Sequence, residues 1–488
     1  MKGYQFLLLL ILLCLLPVWG HAEADASREW VVSPSGAGDF VTLTEALAHA
    51  QNGDRICLTA GVYAQPKEAY PLTIDKSVAI YAREGDEVIL DCPGFETMLN
   101  IHAEDVSIQG IRVHLRKWAI VARGDRLSIR NCEFTLIDTA FRRSSCAVWL
   151  SGVKQVQIVD CCFEGCSVSI VGPPVTQGST APALTAMFEV GEDIEYFTTH
   201  EIRNCTVNGR PLYYFVGEDD LTLPTDAGEV IAVQCNGVTA ENMDVSDSSM
   251  GLVLAYCQNV RLINCRADRC GIFGIYLAYV EDGLLEDCET VDTNHGMDFR
   301  AVKRIQVLRC RATHCDQGIF FSYGDDCLIV DCEAENCGRG FFFACGNRCQ
   351  VVRCIARYNE NGFSPQKENH ILFLDNISQG NTVAGFRLER TSAICIGNQF
   401  LEDWVGVIAY NYGDNAISLY DNVFSDCGSC GLYMRDIAGG HVSGNRFEDN
   451  AKCVMELAGS LGDMLFDTND YGDGAILNQS DIENGAVQ

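Results

Sequence analysis

Basic side chains and proline are both scarce in this chain. Thirty-five Lys and Arg stand against 66 Asp and Glu, a formal net charge of −31, and that excludes a nucleic-acid partner, which needs a basic footprint. Eleven prolines among 488 residues are too few for a low-complexity stalk. Beyond the N-terminus no apolar run approaches the about 18 residues of a membrane-spanning helix. No apolar stripe of helical period is long enough for a helical repeat, and the Leu-x-x-Leu-x-Leu framework of leucine-rich repeats is missing. What is present, 48% hydrophobic residues and 45 glycines, excludes a mainly disordered chain.

The N-terminus reads as a secretory signal over residues 1–24. Lys2 supplies the positive charge, Phe6 to Val18 the apolar segment, and Ala22-Glu23-Ala24 the small-x-small cleavage site. The mature chain is therefore expected to be periplasmic or extracellular, with no membrane span after cleavage.

A repeat organises the rest. Asn242, Cys265, Cys288, Cys310, Cys332, Cys354, Asn376, Asn398, Asn422 and Asn445 follow one another at intervals of 22 to 24 residues. Glycines keep step with them, from Gly251 and Gly274 to Gly406 and Gly431. Two or three short strand patterns per period, separated by Gly, Asn and Asp turns, leave no room for a helix. The solution is all-β, a single-stranded right-handed parallel β-helix in which equivalent residues stack about 4.8 Å apart. After each glycine the side chains alternate. Leu252 and Leu254, or Phe341 and Phe343, face inward, while Val253, Tyr276, Asp298, Phe320, Phe342, Ser364, Arg387, Ile408 and Tyr433 form an outward column.

This explains most of the 26 cysteines. Cys and Asn trade places along one column and again five residues on, as expected of a ladder of small side chains at a turn. There Asn amides bond along the stack and Cys fills space. Stacked neighbours lie close enough for disulfides, whereas a file of ligands is poor geometry for a metal. Nine His and nine Met, scattered, give copper no cluster to bind.

Residues 25–91 form an N-terminal cap and the first coils, with a short amphipathic capping helix within Ser35 to Leu47. Residues 92–457 are the β-helix, with loop excursions at 172–199 and 217–229, and residues 458–488 an acidic C-terminal tail or cap. Asp467 to Gly474 carries alternating oxygen ligands but has Asn478 where a calcium loop needs a bidentate Glu, and reads as an acidic turn.

Pro71-Leu-Thr-Ile-Asp-Lys-Ser-Val-Ala-Ile80, following Gly53-Asp54 and Ala60-Gly-Val-Tyr63, resembles the opening of exported β-helix proteins of the NosD-like group, which carry the carbohydrate-binding and sugar-hydrolase repeat. Asn204 to Tyr214 and Gly228 to Cys235 are similar to a segment recurring in that group. The resemblance covers nearly the whole mature chain and implies a pectin-lyase-like superfold, on which function has to be argued from a site.

The residue sets of pectin methylesterases, polygalacturonases and mannuronan epimerases are missing. A uronate lyase needs a base beside a cation that neutralises the substrate carboxylate. One polar patch on the outward column offers both: His295, Asp298 and Arg300, then Lys367 and Arg387, as candidate catalytic groups. Arg339, Glu389 and Arg390, with the aromatics Tyr276, Phe320, Phe342 and Tyr433, are candidate binding residues. The expected function is to bind or process an extended carbohydrate along the outer groove. The alternatives are a non-catalytic accessory protein that binds a surface or periplasmic partner protein, and a polysaccharide lyase, which would bring Ca2+ as cofactor. The residues by themselves indicate no cofactor.

Overall fold

A computed structural model describes residues 27–92, 94, 97–138, 144–172, 193–410 and 415–478. The signal expected at 1–24 and most of the 172–199 excursion lie outside them.

Parallel pairing begins at the first strand. Glu29–Val32 pairs with Arg55–Leu58, which pairs with Ala79–Ala82, and two further faces build up coil by coil beside this one. A short helix, Leu43–His49, begins within the Ser35–Leu47 stretch and runs two residues past it. Thr42 Oγ1 accepts from Glu45 N at 3.1 Å, and Leu43 and Ala46 are buried against the first strands.

At Asn208 and Gly209 the winding is interrupted. Thr206 and Val207 pair antiparallel with Pro211 and Arg210, and from Arg210–Val216 onward the pairing is parallel again, as far as Ile476–Asn478. The chain is thus two parallel β-helical runs joined by a hairpin, where the sequence suggests one continuous coil. Within the 217–229 stretch, Asp220 and Leu223 donate to the carbonyls of Asn236 and Thr239 in the next coil. Parallel pairing also continues past Leu457, since Cys453–Asp467 extends the stack where a tail is expected.

The two runs pack side by side. Most strands alternate buried and exposed residues, but two sets are buried at every position: Thr97–Ile101, Trp118–Ala122, Cys146–Ser151 and Val168–Val171 in the first run, and Glu229–Val233, Met250–Ala255, Phe273–Ala278 and His295–Arg300 in the second. A strand apolar on both faces is covered on both faces. One continuous core joins Ala119, Val121 and Trp149 to the outward residues Ile231, Val253 and Tyr276. Polar bonds pin this seam: Ser167 N donates to Ser249 Oγ at 2.7 Å, Ser249 N to Ser167 Oγ at 2.8 Å, and Asn208 Nδ2 to the Asp247 carbonyl at 2.8 Å.

The files expected from the repeat are present. Asn376, Asn398 and Asn422 each donate through Nδ2 to the Oδ1 of the Asn one coil on, at 2.9 Å. Cys310 N donates to Cys332 Sγ at 3.4 Å, so sulfur takes the place of the amide oxygen. In the second file Asn381 gives both its backbone and its amide N–H to Asp403, whose carboxyl is pushed up to about 7 by burial. The glycine file has its own cause. A Cβ on Gly251, Gly274, Gly296, Gly318 or Gly340 would come within 2.6–2.7 Å of the next glycine's carbonyl oxygen. Cys430 and Cys453, register partners on adjacent coils, are joined in a disulfide with a Cα–Cα distance of 4.9 Å.

Candidate functional site

The candidate residues belong to the first sheet of the second run, except Lys367 and Arg390 in the turns that follow it, and register sets their spacing. Tyr276, Asp298, Phe320, Phe342 and Ser364 are successive partners, and Arg387, Ile408 and Tyr433 continue the file. Asp298 and Arg387 are four coils apart, about 19 Å at about 4.8 Å per coil. The five catalytic candidates therefore fall into two groups.

The first group is buried. His295, Asp298 and Arg300 are 4%, 0% and 3% exposed, and Tyr276, Phe320 and Phe342 are buried with them. Strand alternation predicts that this stretch of the outward column meets solvent, and it does not. These side chains do point away from their own helix, but the first run covers the earliest coils, and guanidinium groups lie over the next rings. Asp298 holds the cluster together. Its Oδ2 accepts from Arg300 Nη2 at 2.7 Å and lies 2.7 Å from His295 Nδ1, while Oδ1 is 2.5 Å from Arg300 Nε. Arg300 sits 4.0 Å over the Phe320 ring, and the ring of His295 meets Phe273 edge-on at 5.2 Å. Burial lowers the affinity of Arg300 for its proton and raises the pKa of Tyr276. A buried Arg is tolerable only because the carboxylate takes its charge.

The second group is open. Arg339, Phe342, Ser364, Pro365, Gln366, Arg387 and Glu389 line a pocket of about 150 Å³. Arg339 lies 4.3 Å over the Phe342 ring, and Glu389 accepts from Arg387 Nε at 2.6 Å and from Gln366 Nε2 at 2.7 Å. Ser364 Oγ and Asn361 Oδ1 are buried and have no hydrogen-bond partner. Lys367 and Arg390 are exposed, each one residue beyond a lining residue, Gln366 and Glu389. They do not lie on the strand but in the following turn, at φ 55° and 50°, in the same file as Tyr256, Tyr279 and Tyr323. Two coils beyond Arg387, Tyr433 meets Tyr410 at 5.6 Å. The sequence reading missed Ser364, Asn361 and Gln366, because an uncharged polar residue on an outward column is unremarkable until its neighbours are known to leave it unpaired.

Among the described residues, Cys430, Cys453 and Glu456 cluster as a metal site would, but the disulfide takes both sulfurs. The acidic turn at 467–474 is used for cross-coil bonds. Asn469 Oδ1 accepts from Asn445 Nδ2 at 2.9 Å, and Asp467 Oδ2 lies 3.0 Å from His441 Nε2.

Residues 273–405 match the family model of the right handed beta helix region. No curated protein matches the sequence. Among solved structures, the chain is similar to the A-module of the Azotobacter vinelandii mannuronan C-5 epimerase, at 10% identity and a TM-score of 0.30, over 89% of this chain and 91% of that one. It is similar to a periplasmic alginate epimerase at 11% identity and a TM-score of 0.29, over 87% and 85% of the two chains. It also matches a pectate lyase at 13% identity and a TM-score of 0.22, over 92% and 82%. At such scores these likenesses carry nothing about chemistry.

Proposed function

We propose that this protein is an exported carbohydrate-binding β-helix that holds an extended sugar chain along the open part of its first sheet, from the pocket between Arg339 and Arg387 to Tyr433. One observation carries the reading: the pocket between Arg339 and Arg387 includes a buried, unpartnered hydroxyl, Ser364 Oγ, with the unpartnered Asn361 Oδ1 on the same strand. Leaving such groups unpaired costs about 1–3 kcal/mol each, a cost that ligand hydroxyls entering the pocket would remove. Arg339, Arg387, Gln366 and Glu389 supply the directional polar contacts, and Tyr410 and Tyr433 an aromatic surface farther along the groove. Lys367 and Arg390 are exposed beside the lining residues, where they would attract acidic sugars without fixing them. Export rests on the signal-like residues 1–24, and a cross-coil disulfide suits an oxidising compartment.

His295, Asp298 and Arg300 combine a base, a carboxylate and a cation, which is lyase chemistry, but they are sealed from a polymer in this conformation. We therefore assign the open pocket to binding and the sealed cluster to holding the seam. Affinity electrophoresis in gels containing uronate polymers or neutral glucans tests this. The protein should be retarded by at least one of them, and the Lys367→Ala/Arg387→Ala variant should migrate freely. Equal retardation of variant and parent, or none across the panel, would defeat the reading. Unsaturated products detected by ultraviolet absorbance, and lost in His295→Gln, would move the assignment to a lyase.

A further inference from the structure

The second sheet of the second run presents another outward face, and its composition differs from the first. Leu308, Val330, Val352, Leu374, Ile396 and Tyr420 are successive register partners with outward, half-buried side chains. Ile394, in the neighbouring outward file, is 46% exposed. On the first sheet, outward aliphatic residues such as Val253 mark where another β-helix packs. Here no described element covers them.

Both edges of this face carry charges that alternate from coil to coil. On one edge run Asp282, Arg304, Asp326 and Arg348, and on the other Asp287, Arg309, Asp331, Arg353 and Asp375, all at turn positions with φ of 49–59°. Arg304, Arg309, Arg348 and Arg353 each donate through Nε and Nη2 to the Asp one coil back. In each of the four coils from Asp282 to Arg353 the two edges share a sign, and in the next coil His370 stands across from Asp375.

Of the two closed, two-fold face-to-face arrangements, this pattern is complementary in one. If two copies met face to face with their axes parallel and in step, every charge would oppose its like. If the axes run antiparallel about a two-fold axis lying between two central coils, those coils face opposite charges on both edges, and the next coil out does so on one edge. With that axis between the coils of Asp331 and Arg353, Asp331 meets Arg353 of the second copy, Arg309 meets Asp375, and Asp326 meets Arg348. Val330 then lies on Val352, and Leu308 on Leu374.

We propose that this face is the contact surface of an antiparallel homodimer. It lies on a different sheet from the saccharide pocket and leaves that pocket open. Between the charged edges it measures roughly 24 Å by 17 Å, on the order of 400 Å² per copy, which places the dimer among weak, concentration-dependent associations. The rest of each copy is strongly acidic, so salt that screens the long-range repulsion strengthens association.

Sedimentation equilibrium of the full chain, up to about 300 μM, should show a mass rising toward twice the monomer, and more steeply at about 500 mM than at about 20 mM salt. Val352→Lys should weaken association at least about tenfold. Asp331→Arg and Arg353→Asp should each do the same alone, and an equimolar mixture of the two should associate again, because each then faces its opposite. Circular dichroism of every variant checks that the fold is intact. A wild-type chain monomeric throughout, a dimer indifferent to these changes, or a mixture that stays monomeric would each overturn the proposal.

Discussion

One file of outward side chains behaves in two ways along its length. At Tyr276 and Asp298 it is sealed, whereas at Arg387, Ile408 and Tyr433 it is partly open, although the strands, register and spacing hardly change. The difference comes from outside the file, since the first run lies against its early coils and not its later ones. In a solenoid, pointing out of one's own helix is a local property fixed by strand alternation. Meeting solvent depends on what packs against that helix.

Paired substitutions at the two ends test this comparison, and the largest contrast is electrostatic. Asp298→Ala leaves Arg300 buried without its partner and should cost about 3–5 kcal/mol in urea unfolding. Glu389→Ala, which removes the partner of the half-exposed Arg387, should cost about 1 kcal/mol or less. Similar losses at both ends would mean the later coils are covered as well. Packing gives the next contrast. Tyr276→Ala should cost about 3 kcal/mol and Tyr433→Ala under about 1 kcal/mol, by the same measurement.

A third test uses pH at the seam. Glu229 is fully buried beside Ser167 and Cys146, and desolvation holds its pKa well above the ordinary carboxylate value. The folded chain thus keeps a proton that the unfolded chain releases, so unfolding becomes easier as pH rises above about 4.5. The slope is about 1.4 kcal/mol per pH unit until the buried carboxyl itself ionises. Glu229→Gln should flatten that slope in urea titrations between acid and neutral pH, and an unchanged slope would place the proton elsewhere. The smallest effect belongs to the exposed ladders. Arg348→Ala should shift stability by about 0.5 kcal/mol, visible only as a slight change in urea midpoint, while weakening the dimer measurably.

Much of this was legible in the chain. The 22- to 24-residue period, the Asn and Cys files and the inward residues follow from residue type and spacing, and the right-handed β-helix matched over residues 273–405 agrees with them. The seam also left a trace: Trp118-Ala-Ile-Val-Ala122 and Met250-Gly-Leu-Val-Leu-Ala255 have no polar alternate residue, which indicates cover on both faces. The site was legible only as a list. His295, Asp298, Arg300, Lys367 and Arg387 are the cations and partners of the outward file and the adjoining turn, but their division into a sealed cluster and an open pocket depends on contacts between distant parts of the chain.

By itself, then, the sequence determined the coil, because a repeating unit that cannot bury its apolar side alone must stack on its own copies, and that constraint is local and periodic. Only the tertiary structure decided where the coil is broken, at the hairpin of Thr206 to Pro211, and which flank the first run covers. Docking of one helix on another is set by the summed shape and polarity of two surfaces far apart in sequence, and no period records that sum.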